Sequence, residues 1–189
     1  MNRFSPLPVF LAVLLSGLMV LSACERQKPD SPQPVIPGNR KSPIAISSVK
    51  ENGTYIKVVY GQPYRKGRSI FGDWEPYGEV WRTGANEATE ITITNTILMG
   101  NEPISAGTYT LFTIPYPDKW TLILNSTLGQ WGAFEYNSAT DYKRMDFPVI
   151  PLEDPVEAFT IEFSEVNTDL TTMSLSWDTV RVEVPIRFY

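Results

Sequence analysis

The ten residues TEITITNTIL, Thr89 to Leu98, decide the fold class. Ile91, Ile93 and Ile97 recur on one parity while Glu90, Thr92, Thr94 and Thr96 occupy the other. A period of two is the signature of a half-buried strand, with one face on a core and one in water. The same alternation recurs outward from this stretch. It runs through TYIKVVY (54–60), TYTLFTI (108–114), WTLILN (120–125), AFTIEF (158–163), MSLSW (173–177) and VRVEVPIRF (180–188), with 44–49 a weaker eighth segment. No window of ten or more residues carries a helical stripe. The expectation is an all-β, antiparallel β-sandwich of jelly-roll-like type, about eight strands over residues 44–189, with one long ordered loop.

Turn chemistry agrees with that reading. PYPDK (115–119) predicts a hairpin loop between two strands, and Asp178-Thr179 predicts a tight turn between two more. Pro185 predicts that the last strand lies at an edge, because proline cannot donate to a ladder.

Ahead of the domain, MNRFSPLPVFLAVLLSGLMVLSAC (1–24) places Arg3 before an apolar run and ends in a Leu-Ser-Ala-Cys box. This reads as a lipoprotein signal peptide over residues 1–23, with Cys24 as the lipidated N-terminus. Residues 24–43 would then hold the anchor cysteine and a tether, since five prolines fall between Glu25 and Pro43 without an aromatic. Such a segment cannot build a core and spans up to roughly 60 Å as extended polyproline. The expected location is a bacterial cell envelope, with the membrane reached through the N-terminal lipid only.

Composition removes whole classes of chemistry. Loss of residues 1–23 takes away Arg3 alone and leaves 15 basic against 21 acidic residues, which disfavours a nucleic-acid partner. There is no histidine, and Cys24 is the one cysteine, so Ser-His-Asp and Cys-His catalysis and the usual zinc and copper sites are excluded. No calcium loop pattern occurs, and neither a metal nor a cofactor is expected.

Two irregular segments stand apart from the strands. GQPYRKGRSIFGDWEPYGEVWRTGANE, Gly61 to Glu87, is 27 residues long, with five aromatics, four basic and four acidic side chains. Loops of that length in compact domains bind or cover something. GQWGAFEYN (129–137) sets Trp131, Phe134 and Tyr136 among small residues. The candidate ligand-binding residues are Trp74, Trp81, Arg82, Asn86, Glu87 and Trp131.

The blocks RSIFGDWEPYGEVWRTGANEATEITI, ISAGTYTLFTIP and WTLILNSTLGQWGAFEYN, in that order, resemble the bacterial lipoprotein family catalogued as domain of unknown function 2911. The resemblance covers roughly Ser42 to Phe188. It implies one globular domain on a lipid anchor and no assigned catalytic residue.

Each candidate has two readings. Arg82 either forks onto a carboxylate or phosphate beside Trp74 or Trp81, or pairs with Glu79 or Glu87 as a structural staple. Asn86 and Gly84 predict a tight turn with a left-handed residue. The carboxylates Glu79, Glu87, Glu90, Glu135 and Asp141 could serve a histidine-free glycan hydrolase, or they are solvated surface. The main expectation is a non-enzymatic binding module for a glycan, peptide or small molecule; the alternatives are that hydrolase or a structural envelope interaction protein.

Overall fold

The computed structural model describes Met1 and residues 41–189; Cys24 and most of the proline-rich tether lie outside the described residues. The strands are β1 (Ile44–Glu51), β2 (Thr54–Gly61), β3 (Thr89–Ile93), β4 (Ile97–Met99) and β5 (Glu102–Ile104). Then follow β6 (Gly107–Pro115), β7 (Lys119–Asn125), β8 (Asp141–Phe163) and β9 (Leu170–Phe188). Helical structure among the described residues is confined to one 3-10 turn at Ser138–Thr140. The chain is all-β and antiparallel, as its period-two segments demand.

The nine strands form one open sheet in the order β1-β2-β3-β6-β7-β8-β9-β4-β5, rather than two separate sheets. The long strand β8 explains why. Its first part, Asp141 to Pro148, pairs with β7, and the remainder from Val149 pairs with β9, so one strand carries the sheet from one half to the other. Register shifts between Pro151 and Val156, and again before Thr160, fall beside Pro151 and Pro155, which cannot donate to the ladder. Both halves feed one core. Ile56, Ile91, Leu111 and Leu122 from the first half join Leu175, Val182, Ile186 and Ile97 from the second.

Three expectations change in the structure. TEITITNTIL is two strands, not one: β3 pairs with β2 and β6, whereas β4 pairs with β5 and β9. Thr94 and Asn95 turn the chain between the halves, Thr94 bonding to the Tyr55 backbone and Asn95 Nδ2 to the Gly53 carbonyl. Ile91, Ile93 and Ile97 still reach the same core, which is why the pattern reads as continuous. Asp178 is not a hairpin turn. It sits inside β9 at φ 52, where its carboxylate receives the Ile70 N–H at 3.1 Å and pairs with Arg65 Nε at 2.7 Å. Finally, β9 is an interior strand flanked by β8 and β4, and the edges are β1 and β5. Pro185 is tolerated because it lies past Val182, the last β9 residue in register with the start of the β8 pairing.

The loop expected to be ordered is ordered, and it belongs to the core. Ile70, Phe71 and Trp81 are buried. Trp81 stacks on Trp177 at 5.7 Å between centroids and meets Trp120 edge-on at 5.7 Å, with Phe71 and Phe159 closing the cluster. Its backbone bridges Thr113 of β6 through a reciprocal pair of hydrogen bonds. The stretch before Ile70 crosses to β8: Phe159 N–H bonds to Pro63 O, and Arg65 N–H to Glu157 O.

Candidate functional site

The return of the long loop to β3 brings two backbone segments into close contact, the closest approach among the described glycines. A Cβ on Gly61 would lie 1.9 Å from the Ala85 carbonyl oxygen, so only glycine lets residues 84–86 close over the end of β2. Asn86 takes the left-handed conformation expected of this turn, at φ 65, and its side chain donates to the Ser42 carbonyl. Thr83, a β-branched residue, is also left-handed at φ 55, an unfavourable conformation for its type. It is held by full burial, by Thr113 Oγ1 at 3.1 Å and by the Thr89 hydroxyl donating to its carbonyl at 2.7 Å.

A cleft of about 380 Å³ opens against this turn. Its walls carry Lys41, Lys66, Arg68, Trp74, Glu75 and Arg82, with Asn86 at one end. The loop that buries Trp81 thus presents Trp74, 57% exposed, on its other side. Arg68 is fixed over the Trp74 ring, 4.0 Å from its centroid, by bonds from its guanidinium to the Tyr64 and Arg65 carbonyls. Arg82 Nε is buried and has no hydrogen-bond partner among the described residues. Of the charges acting on Glu75, the one carboxylate among the described residues of this cleft, that of Arg82 is the largest.

Glu75 was not singled out from sequence. Burial pushes its carboxyl up to about 7, against the opposing pull of Arg82 and Arg68. An unfolded glutamate titrates near 4.5, so the two states bind protons equally below that pH. Between pH 4.5 and 7 the folded state holds the extra proton, and stability falls as pH rises until the penalty is constant above 7. Glu75→Gln is therefore expected to leave stability unchanged at pH 4 and to raise it by about 2–3 kcal/mol at pH 8. Urea unfolding at the two pH values checks this; an equal effect at both would mean that Glu75 ionises normally.

The second irregular segment runs beside the first. Glu87 bridges Trp131, Gly132 N–H bonds to Asn86 O, and Ala88 N–H to Gln130 O. Tyr136 anchors its far end: the phenol donates to Asp141 Oδ2 at 2.7 Å, Arg144 Nε donates to the same oxygen at 2.8 Å, and the ring packs on Phe112. Burial and the Asp141 bond push the Tyr136 phenol up to about 12, so it stays a donor at neutral pH. Trp131 and Phe134 project outward, 60% and 83% exposed.

The six candidate residues thus separate. Trp74, Arg82 and Asn86 converge on one cleft. Trp81 offers no face to solvent, since the core encloses it at 3% exposure. Glu87 lines a smaller neighbouring cleft of about 270 Å³ with Glu90 and Gln130, and Trp131 stands on the ridge alongside. Lys66, Arg68 and Glu75 complete the main cleft; the run YRKGR (64–68) signals Lys66 and Arg68 through local charge density, and Glu75 lies outside it. Among the described residues, no cluster of three or more Asp, Glu, Cys or His could hold a metal, and no helix is long and apolar enough to cross a membrane.

Comparison with known proteins agrees with the sequence blocks that surround this cleft. No curated protein and no solved structure matches the chain. One family model, described as Protein of unknown function (DUF2911), matches residues 42–186, a span that includes both irregular segments and all nine strands apart from the end of β9. With most of its length so matched, the chain belongs to the DUF2911 family.

Proposed function

We propose that the chain is a non-enzymatic binding domain of a bacterial cell envelope, tethered through lipid on Cys24, whose ligand site is the cleft walled by Trp74, Arg82 and Asn86. The observation that carries this reading is Arg82. A guanidinium nitrogen buried without a partner is costly unless something completes its hydrogen bonding, and the residue that carries it lines an open cleft. A half-open tryptophan beside convergent polar groups is the usual composition of a small-ligand site. The anchor is supported by the Leu-Ser-Ala-Cys box and the proline-rich tether that follows. Metabolic labelling with palmitate that fails to mark Cys24 would remove the anchor from the proposal.

The hydrolase alternative requires two carboxylates facing each other across a substrate. Asp141 is engaged by Arg144, Tyr136 and Asn125, and Glu90 receives the Gly129 N–H at 2.9 Å. Glu75 has a raised proton affinity, yet the charges it meets are Arg82 and Arg68. The arrangement supports binding better than acid–base catalysis.

The test is Arg82→Ala, followed by urea unfolding and by thermal protection across a panel of neutral and charged sugars, amino acids and short peptides. The expected outcome is a stability change within about 1 kcal/mol, because no hydrogen bond to Arg82 Nε is lost, together with loss of ligand protection. A loss of about 3 kcal/mol or more with ligand protection intact would identify a structural staple instead.

A further inference from the structure

We infer that the group captured in this cleft is an oxyanion, a carboxylate, phosphate or sulfate on a small ligand, seated between Arg82, Lys66 and Lys41 with the ligand body against Trp74. The inference rests on the cleft being the ligand site and adds the chemistry of what it holds.

Charge balance is the first argument. The chain carries 16 basic against 21 acidic residues, yet of the described residues four cationic side chains and a single carboxylate line this cleft. On an acidic protein such a concentration focuses the field and draws anions to one place. The single carboxylate does not cancel it. Burial pushes Glu75 up to about 7 even with Arg82 and Arg68 beside it, so at neutral pH it is only partly ionised and offsets only part of the arginine charge. Glu157, from β8, uses Oε1 to accept the Lys66 backbone N–H at 2.8 Å, a task separate from the cleft lining.

Donor geometry is the second argument. Lysine and arginine donate hydrogen bonds and accept none, so the Lys41, Lys66 and Arg82 side chains all call for acceptors. Arg68 is occupied: its Nε and Nη2 serve backbone carbonyls while its plane covers Trp74, so it contributes charge and fixes the ring. Arg82 is the remaining fork, and a guanidinium matches the paired oxygens of a carboxylate or phosphate. A protonated Glu75 adds a donor to the same wall. As it ionises through pH 7, capture of an anion should weaken; Arg82 and Arg68 are the charges that act on it, and Lys66 and Lys41 line the same cleft.

Isothermal titration of the full chain in detergent tests this with three probes: inorganic phosphate, D-glucuronate and neutral D-glucose. The expected result is binding of phosphate, glucuronate or both, at least tenfold tighter than glucose and weakened by added salt. Arg82→Lys should reduce it about tenfold and Lys66→Ala, at an exposed position, about threefold. Binding of phosphate alone assigns a phosphoryl ligand and of glucuronate alone a carboxylate; Trp74→Phe should weaken glucuronate more than phosphate. Glucose binding as tightly as glucuronate, and lost in Trp74→Phe, overturns the anion assignment while leaving the ligand site standing. No binding of any probe, or binding indifferent to all three substitutions, overturns both.

Discussion

Trp81→Ala is expected to destabilise the domain by about 3–5 kcal/mol, the range for removing a buried large aromatic from a core that cannot collapse around the void. Trp81 touches Phe71, Trp120, Phe159 and Trp177 at centroid distances between 5.0 and 5.8 Å. Those four come from the long loop, β7, β8 and β9, so no single element can move to fill the space. Its indole N–H also donates to the Gly84 carbonyl at 3.2 Å, holding the turn that shapes the cleft. The loss should appear as a lower urea midpoint with an unchanged slope. A change below about 1 kcal/mol would mean that the loop packs loosely and that Trp81 is not a core residue.

Asp178→Ala is the second large effect, about 2–4 kcal/mol, toward the lower part of the range for a broken buried pair because Arg65 is partly hydrated. The carboxylate is 10% exposed and Arg65 27%, so its removal strands one cation and one backbone N–H, that of Ile70, in a poorly solvated place. Ile70 and Phe71 follow directly, so the long loop should detach from β9 as the pair is lost. Asp178→Asn should recover part of the stability, since it keeps an acceptor for Ile70 and tolerates φ 52. If Asn behaves no better than Ala in urea unfolding, the Ile70 contact contributes nothing.

These two residues also mark where the sequence could and could not be read. Alternation showed Ile91, Ile93 and Ile97 facing one core, but a period of two names no partner. The crossing from β3 to β4 at Thr94–Asn95 was therefore invisible. The stretch of β8 before Ala158 escaped because Pro148, Pro151 and Pro155 argue against a strand; Met145 and Phe147 are nonetheless buried in it. Asp178-Thr179 resembles a turn because only tertiary contact reveals why an aspartate would sit left-handed inside a strand.

The candidate site was legible in the same partial way. Aromatic and arginine density singled out the loop, and Trp74, Arg82 and Asn86 meet in one cleft. Trp81, one position from Arg82, faces the opposite way into the core, a separation that follows from its backbone bridge to Thr113. Glu75 carried no local sign of its raised proton affinity. Desolvation is set by what the fold brings over it, and neither length nor spacing along the loop encodes that.

The central claim, that the Trp74 cleft is where this domain takes its ligand, is tested most directly by the five tryptophan indole N–H resonances of the ¹⁵N-labelled chain. During titration with inorganic phosphate, D-glucuronate and D-glucose, the Trp74 resonance is predicted to shift saturably with at least one of them. That of Trp120, fully buried in the core, should stay in place. A titration that moves only Trp131, or that moves no indole while ligand binds, would contradict the account and place the ligand elsewhere.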